Sequence, residues 1–191
     1  MRPRFVLASA SPRRRQLLSA AGYEFDVVSP RVEEVGHDWL TIRELTIWNA
    51  ARKAADVSKS SPDAVVLAAD TLVMIDGEVL GKPSDVDEAA AMLQRLSGRS
   101  HEVWTAVRIS HAVRAKSESF HEISRVHFRD LDDRAIRSYL AKVDPLDKAG
   151  AYAAQGDGKD IIEKIEGSYT NVVGLPMEKT MRALRVFGVT P

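Results

Sequence analysis

The chain has 191 residues, and its 27 basic and 27 acidic side chains give a formal net charge of zero. This balance argues against general binding to nucleic acids or membrane surfaces, since both rely on a basic surplus. The sequence contains no cysteine, which excludes thiol catalysis and thiolate zinc sites, and it has no apolar run approaching a membrane span, so one cytoplasmic domain over residues 1–191 is expected.

The first predicted strand, Arg4–Ala8, runs into a turn rich in serine and arginine and then into a helix, Pro12–Ala21. Ser11 suits the N-cap and Pro12 the first helical position, so free backbone N–H groups should cluster here. Three arginines follow in the first turn, where their charge opposes the helix dipole. A phosphate bound at this turn would resolve the conflict. The alternative is a solvated basic helix end.

Two acidic residues, Glu33 and Glu34, follow the second predicted strand, Phe25–Ser29. Because Mg²⁺ takes one or two protein carboxylates and keeps several waters, the pair is a candidate metal site. Pairs of glutamates are also common on protein surfaces. The next helix runs from a capping box that begins at Thr41 to about residue 57, and Lys53 within it reads, by itself, as a solvated helix lysine.

Asp70 interrupts an otherwise apolar run. The pattern predicts a strand Ala64–Ala69 ending just before it, then a hairpin of Thr71–Ile75 and Glu78–Leu80 turned at Asp76-Gly77. Aspartate is a poor strand former, and a buried carboxylate needs a partner. At a strand end it suits a catalytic base or a metal ligand. The alternative is a strand-terminating aspartate bonded to nearby backbone N–H groups.

The segment Gly81–Pro83 follows the hairpin and is not a P-loop. That motif needs four residues between its glycine and its Gly-Lys pair, and a serine or threonine after the lysine, whereas here three residues intervene and a proline follows. Lys82 is still held between a glycine and a proline as a point charge that could bind phosphate. The alternative is a solvated turn lysine. A helix is predicted next, over Ser84–Gly98.

The last third of the chain contains a glycine-rich loop, Asp147–Gly158, which a flat ligand could approach closely, with the Gln155 amide reading a base edge. The alternative is a flexible connector, although the residues around Tyr152 are too apolar for a simple linker. Strands are predicted over Val103–His111 and Ser117–Arg129, and helices over Asp132–Val143 and Met177–Phe187. A further strand is expected between the loop and the last helix. The order of elements predicts an α/β or α+β fold, with a mixed sheet flanked by helices and a ligand groove between two lobes.

Taken together, these segments resemble the Maf family of nucleoside triphosphate pyrophosphatases. The matching segments follow the family's order and span nearly the whole chain: Leu7–Arg14, Ala69–Thr71, Gly81–Pro83, Leu96–Ser100, Asp147–Tyr152, Gln155-Gly156, Glu166–Tyr169 and Gly174–Pro176. The resemblance implies an elongated mixed sheet with two lobes and a cleft, similar to inosine triphosphatases. It also implies a cytoplasmic homodimer that hydrolyses a nucleoside triphosphate to the monophosphate and pyrophosphate. The expected cofactor is a divalent cation, Mg²⁺ or alternatively Mn²⁺.

The resemblance also assigns roles to individual residues. Asp70 falls on the family's proton acceptor. Three positions thought to separate subfamilies carry Arg13, Thr71 and Gln155 here, a combination similar to the branch that acts on dTTP and UTP. The branch that acts on 7-methyl-GTP is expected to carry tryptophan at the first of these positions and glutamate at the last, and neither occurs in this chain.

A consistent reaction is the attack of water on the α-phosphorus, with Asp70 as the base. Phosphate binding is expected from Ser9, Ser11, Arg13 and Arg14. Charge compensation is expected from Lys53 and Lys82, and metal binding from Glu33 or Glu34 with Asp70. Successive helical residues point about 100° apart, so Arg15 is left to the surface. Two other functions stay open, a nucleotide-binding regulator of cell division with little catalysis and a 7-methyl-GTP pyrophosphatase. A nucleic-acid-binding module is disfavoured by the zero net charge and the 6 % aromatic content.

Overall fold

The computed structural model describes residues 3–32 and 39–191. Its strands form one seven-stranded sheet in the order β2-β1-β3-β5-β6-β7, with β4 paired to β3. The strands are β1 Phe5–Leu7, β2 Asp26–Val27, β3 Val65–Ile75, β4 Glu78–Leu80, β5 Ser100–His111, β6 Lys116–Phe128 and β7 Ile162–Glu166. β1 is parallel to β2 and β3, whereas the β3–β4 and β6–β7 pairs are antiparallel. The mixed α/β class predicted from the sequence is therefore confirmed.

Helices flank the sheet, and their starts follow local capping rules. They are α1 Pro12–Ala20, α2 Ile42–Ser60, α3 Val86–Leu96, α4 Asp133–Leu140, α5 Gly158–Ile161, α6 Tyr169–Val173 and α7 Met177–Val186. The predicted capping box is present at the start of α2, where the Thr41 hydroxyl accepts from the Glu44 N–H and the Glu44 carboxylate accepts from the Thr41 N–H. None of the helices in the described part of the chain is long and apolar enough to cross a membrane.

Three details of the predicted elements are wrong. β3 runs without a break through Asp70, because side chains of α2 satisfy the carboxylate inside the sheet. α3 begins two residues later than predicted, because Asp85 rather than Ser84 is the N-cap residue, with its carboxylate accepting from the Glu88 N–H. The glycine-rich loop is partly helical, with a short 3-10 helix at Ala149–Ala151 and α5 at its end.

The chain divides into two compact units, each drawn from separate stretches of sequence. The first combines Met1–Asp70, Thr105–Glu122 and Gly174–Pro191, and the second combines Thr71–Trp104 and Ile123–Val173. Each unit has its own apolar core. Leu7, Leu18, Leu67 and Leu184 pack together in the first, and Val73, Leu93, Phe128 and Ile161 in the second. That the whole chain acts as one domain stays a prediction.

Candidate active site

The first unit contains a buried polar cluster in which α2 faces β3. Lys53 Nζ lies 2.6 Å from Asp70 Oδ1, and Asn49 Nδ2 lies 3.3 Å from Asp70 Oδ2. Each carboxylate oxygen thus accepts from one α2 side chain. The exposed fractions are 3 % for Asp70, 6 % for Lys53 and 3 % for Asn49, so a charged pair is held almost completely out of water.

The helical repeat explains why two donors meet one carboxylate. Asn49 and Lys53 are four residues apart and therefore lie one above the other on the same face of α2. That face is buried against the sheet, as the fully buried Thr46 one turn earlier also shows. The alternative interpretation of Lys53 as a solvated helix lysine is therefore wrong.

Burial of this ion pair is costly for the fold. Taking two charges out of water carries a large desolvation penalty, which their mutual attraction offsets only when the geometry is good and the remaining hydrogen bonds are made. Such pairs are rarely needed for stability, because apolar residues of the same volume fill a core equally well. A buried carboxylate with a matched cation is more typical of a site where charge is used.

The predicted phosphate-binding turn also lies in the first unit, at the start of α1. Ser9 is buried, and its Oγ accepts from the Ser11 N–H at 3.2 Å and from Arg14 Nη1 at 3.2 Å. Arg14 is nearly buried as well and donates from Nε to the Gly174 carbonyl at 2.8 Å. Ser11 occupies the N-cap position as predicted, but its side chain makes no capping hydrogen bond. Arg13 is half-buried and Arg15 is exposed.

The remaining predicted residues that the structure describes belong to the second unit, apart from the metal-ligand candidates. Thr71 is half-buried in β3 and directly follows Asp70 in the chain. Lys82 is exposed, and the Gly150 N–H donates to the carbonyl of the preceding residue, Gly81, at 2.9 Å. Gln155 is half-buried, and its carbonyl accepts from the Gly158 N–H at 3.2 Å.

Asp70 is the one predicted metal ligand within the described residues, because Glu33 and Glu34 lie outside them. Across residues 3–32 and 39–191, no group of three or more histidine, aspartate or glutamate side chains could hold a metal ion. Mg²⁺ needs only one or two carboxylates when substrate phosphates and waters supply the other ligands. Each carboxylate oxygen has two acceptor sites, so Asp70 can keep both α2 donors and still bind a cation. The residues present therefore fit a divalent ion that arrives with a phosphate-bearing substrate.

Asn49 is the member of this cluster that the sequence analysis missed. The signal was available, because polar residues at 46, 49 and 53 share the stripe of α2 that also carries the buried Ile42 and Leu45. Polar side chains on an apolar helix face need buried partners, and Asp70 was the carboxylate that the sequence placed in an apolar run without an evident partner.

We expect Asn49→Ala to lower kcat by about tenfold, because one oxygen of Asp70 loses its donor and the carboxylate can rotate. Loss of a buried donor should also lower the free energy of unfolding by about 1–3 kcal/mol. Steady-state kinetics and urea unfolding measure both effects. Asn171→Ala is the matched control, since it removes a buried amide that binds the Val103 carbonyl and Ser124 in the second unit, and it should lower stability alone. Unchanged kcat in Asn49→Ala would show that Asn49 does not orient Asp70.

A second buried polar pair, His101 and Tyr152, lies in the second unit. His101 Nε2 is 2.7 Å from the Tyr152 hydroxyl, and both rings pack edge-to-face with Phe128. His101 Nδ1 is buried and has no hydrogen-bond partner among the described residues. Burial, helped by the charge of His127, lowers the pKa of His101 from 6.5 to about 4. His101 is therefore neutral at physiological pH.

This lowered pKa predicts a pH-dependent stability. The unfolded chain gains a proton on His101 near pH 6.5, whereas the folded protein does so only near pH 4. The free energy of unfolding should therefore fall as the pH is lowered through this window, by about 3 kcal/mol from this residue. Urea unfolding at pH 7 and pH 4.5 should show a smaller drop for His101→Phe than for the unsubstituted protein. Equal drops would contradict a buried, neutral imidazole.

Comparison with known proteins places these features in a family. A family model described as Maf-like protein matches residues 4–187, and the chain belongs to this family. Among curated relatives, the chain is 46 % identical over 186 residues to the dTTP/UTP pyrophosphatase of Bacillus pumilus (strain SAFR-032), covering 97 % of each chain. It is also 46 % identical over 183 residues to the dTTP/UTP pyrophosphatase of Pelotomaculum thermopropionicum, covering 96 % of each chain. A third relative, the dTTP/UTP pyrophosphatase of Bacillus velezensis, is 46 % identical over 189 residues, 99 % of each chain.

Proposed function

We propose that this protein hydrolyses nucleoside triphosphates, with dTTP and UTP preferred, to the monophosphate and pyrophosphate. The observation that carries the proposal is the buried Asp70 carboxylate, held on one oxygen by Lys53 and on the other by Asn49. Family membership and full-length relatives with this activity in their names support it.

In this proposal Asp70 is the general base. A water bonded to the carboxylate attacks the α-phosphorus, its proton passes to Asp70, and the bond from the α-phosphorus to the bridging oxygen breaks. Pyrophosphate leaves with that electron pair. Lys53 keeps the carboxylate in place before the reaction and offsets the negative charge that builds on the phosphate oxygens during it.

The start of α1 is proposed to bind the triphosphate. Backbone N–H groups at a helix N-terminus favour an anion, and Ser9, Ser11 and Arg13 add polar or charged groups there. Arg14 already donates to Ser9 and to the Gly174 carbonyl, so its contribution includes holding the shape of this turn. Lys82 is proposed as a further phosphate ligand.

Base selection is proposed to rest on Thr71 and Gln155. A pyrimidine such as thymine or uracil offers a carbonyl at position 2 and an N–H at position 3, and one amide side chain can match both. A site that contains buried polar groups rejects bases that leave those groups unpaired. Cytosine lacks the N–H at position 3, so turnover of CTP compared with dTTP and UTP is the most direct test of this contact.

We further propose that the enzyme acts as a cytoplasmic homodimer with Mg²⁺, as the family resemblance implies. Asp70 would hold the ion, with Glu33 or Glu34 as a second carboxylate, and the ion would neutralise phosphate charge and acidify the bound water.

The test is pyrophosphate release by the purified protein with Mg²⁺ across dTTP, UTP, CTP, GTP, ATP and 7-methyl-GTP. Fast turnover confined to dTTP and UTP is the expected result. Turnover of 7-methyl-GTP instead would overturn the proposed substrates and keep the reaction. Tight nucleotide binding without any turnover would overturn the reaction and favour the regulator of cell division.

A further inference from the structure

Tyrosine hydroxyls hold the three residues that precede Gln155. The Ala153 N–H donates to the Tyr139 hydroxyl at 3.0 Å, and the Tyr169 hydroxyl donates to the Ala154 carbonyl at 3.4 Å. Tyr152, the first of the three residues, is bonded through its own hydroxyl to His101. Three of the four tyrosines in the chain thus act on residues 152–154. We call Tyr139, Tyr152 and Tyr169 the tyrosine frame.

The frame is anchored in the second unit's core. Tyr139 projects from α4 with 2 % of its surface exposed, and Tyr152 is 5 % exposed. His101 comes from β5 and Phe128 from β6; their ring centroids lie 5.0 Å apart, and each ring packs edge-to-face on the Tyr152 ring. One helix and two strands therefore fix the path of the backbone into Gln155.

The residues that follow Gln155 in the chain are constrained as well. Gly158 packs so closely on the Ala153 carbonyl that a Cβ at this position would overlap the carbonyl oxygen. The Gly158 N–H also donates to the Gln155 carbonyl. The backbone thus folds back within a few residues, and the Gln155 amide projects from a short segment held at both ends.

The hydrogen bonding of His101 is costly. A neutral imidazole has one donor and one acceptor nitrogen, and only Nε2 has a partner among the described residues. A buried polar atom without a partner destabilises the fold, and an apolar pair of residues at positions 101 and 152 would pack without that penalty. Use of histidine here therefore points to a positional role for the bond to Tyr152.

We propose that Tyr139 and the His101–Tyr152 pair are positioning residues that set base selectivity by fixing the orientation of the Gln155 amide. This inference rests on the proposed function, in which Gln155 reads the base. Hydrogen-bond selection depends on direction, because the bond weakens steeply as its angle departs from linearity. A shift of the backbone at residues 153 and 154 would change that angle without touching Asp70 or the phosphate-binding turn.

The experiment is a matched series of tyrosine-to-phenylalanine variants. Tyr139→Phe and Tyr152→Phe each remove one hydroxyl from the frame. Tyr23→Phe removes a buried hydroxyl from the first unit, where it has no partner among the described residues, and is the control. The readouts are kcat for dTTP and the ratio of kcat/KM for dTTP to that for CTP. Hydrogen exchange of the peptide covering residues 151–157 reports the order of the segment, and thermal melting reports folding.

The proposal expects the dTTP:CTP ratio to fall by about tenfold in Tyr139→Phe and Tyr152→Phe, corresponding to one misaligned hydrogen bond. In both variants kcat for dTTP should stay within about twofold, because the chemistry at Asp70 is untouched. Exchange in the 151–157 peptide should accelerate. Tyr23→Phe should match the unsubstituted protein in kcat, in the dTTP:CTP ratio and in hydrogen exchange.

Substitutions of His101 test the proposal independently. His101→Gln keeps a hydrogen-bonding group for the Tyr152 hydroxyl and should retain most of the selectivity, whereas His101→Leu should lose it as Tyr152→Phe does. A purely structural role predicts instead that melting temperature falls in these variants while the dTTP:CTP ratio stays constant.

Two other results separate this inference from the proposed function. If the unsubstituted protein prefers dTTP and both frame variants keep the full ratio despite faster exchange, the positioning role is overturned and the function stands. If Gln155→Ala keeps the ratio, Gln155 does not read the base and the inference fails, again with hydrolysis intact. Absence of turnover in the unsubstituted protein overturns the proposed function itself.

Discussion

Replacing Asp70 with Asn is expected to lower kcat for dTTP by about 10²–10⁴-fold, the usual contribution of a general base. The amide has nearly the same shape as the carboxylate but cannot take up the proton of the attacking water. Nucleotide binding should persist, because the proposed phosphate ligands at the start of α1 are unchanged. Single-turnover pyrophosphate release and titration calorimetry with dTTP measure the two effects separately.

Asp26→Asn is the matched control for this variant. It makes the same chemical change in an exposed carboxylate that pairs with Arg4 at 2.9 Å, and exposed pairs contribute little to stability. It should leave turnover unchanged. Near-normal turnover in Asp70→Asn, with the control behaving as expected, would show that another group removes the proton.

Lys53→Met should be strongly destabilising, with a loss of about 3–5 kcal/mol in the free energy of unfolding. The Asp70 carboxylate would stay buried with Asn49 as its remaining partner in the cluster, and a buried charge without its counter-charge is strongly unfavourable. For a chain of this length, such a loss lowers the melting temperature by roughly 10 °C. Thermal and urea unfolding measure it.

The double variant Lys53→Met/Asp70→Leu tests the physical cause. Removing both charges leaves an apolar contact of similar volume, so the double variant should be more stable than Lys53→Met and inactive. Arg4→Met breaks the exposed pair with Asp26 and should change stability by about 0–1 kcal/mol. If Lys53→Met were as stable as the unsubstituted protein, the pair would be reached by water and would not be a buried ion pair.

The opposite expectations for stability and activity follow from one arrangement. A core that contains Lys53, Asp70 and Asn49 is less stable than an apolar core of the same shape, yet it holds a charged carboxylate away from bulk water. Proteins keep such costly groups where chemistry needs them. Selection for stability alone would remove this cluster.

Features that depend on neighbouring residues could be predicted from the sequence. The capping box at the start of α2 and the β3–β4 hairpin appeared where predicted, because caps and tight turns are set by a few adjacent residues. Asp76 and Gly77 show the positive φ values, 54° and 80°, that such a turn requires. Alternation of strands and helices also predicted the α/β class, and the ordered motifs predicted the family.

The pairing of the chemistry-bearing residues, by contrast, depends on how distant segments of the chain pack. Lys53 and Asn49 are 17 and 21 residues from Asp70 in the chain, and nothing local shows that one face of α2 lies against this point of β3. The same contact explains why β3 continues through Asp70, where the sequence predicted a break. The tyrosine frame likewise joins residues from two helices and a loop, and His101 and Phe128 from two strands pack against Tyr152. Local sequence patterns report intrinsic propensity, whereas desolvation and the choice of hydrogen-bond partners depend on which surfaces pack together. Because α2 packs on β3, Asp70 is a paired, buried carboxylate within a strand, although aspartate is a poor strand former.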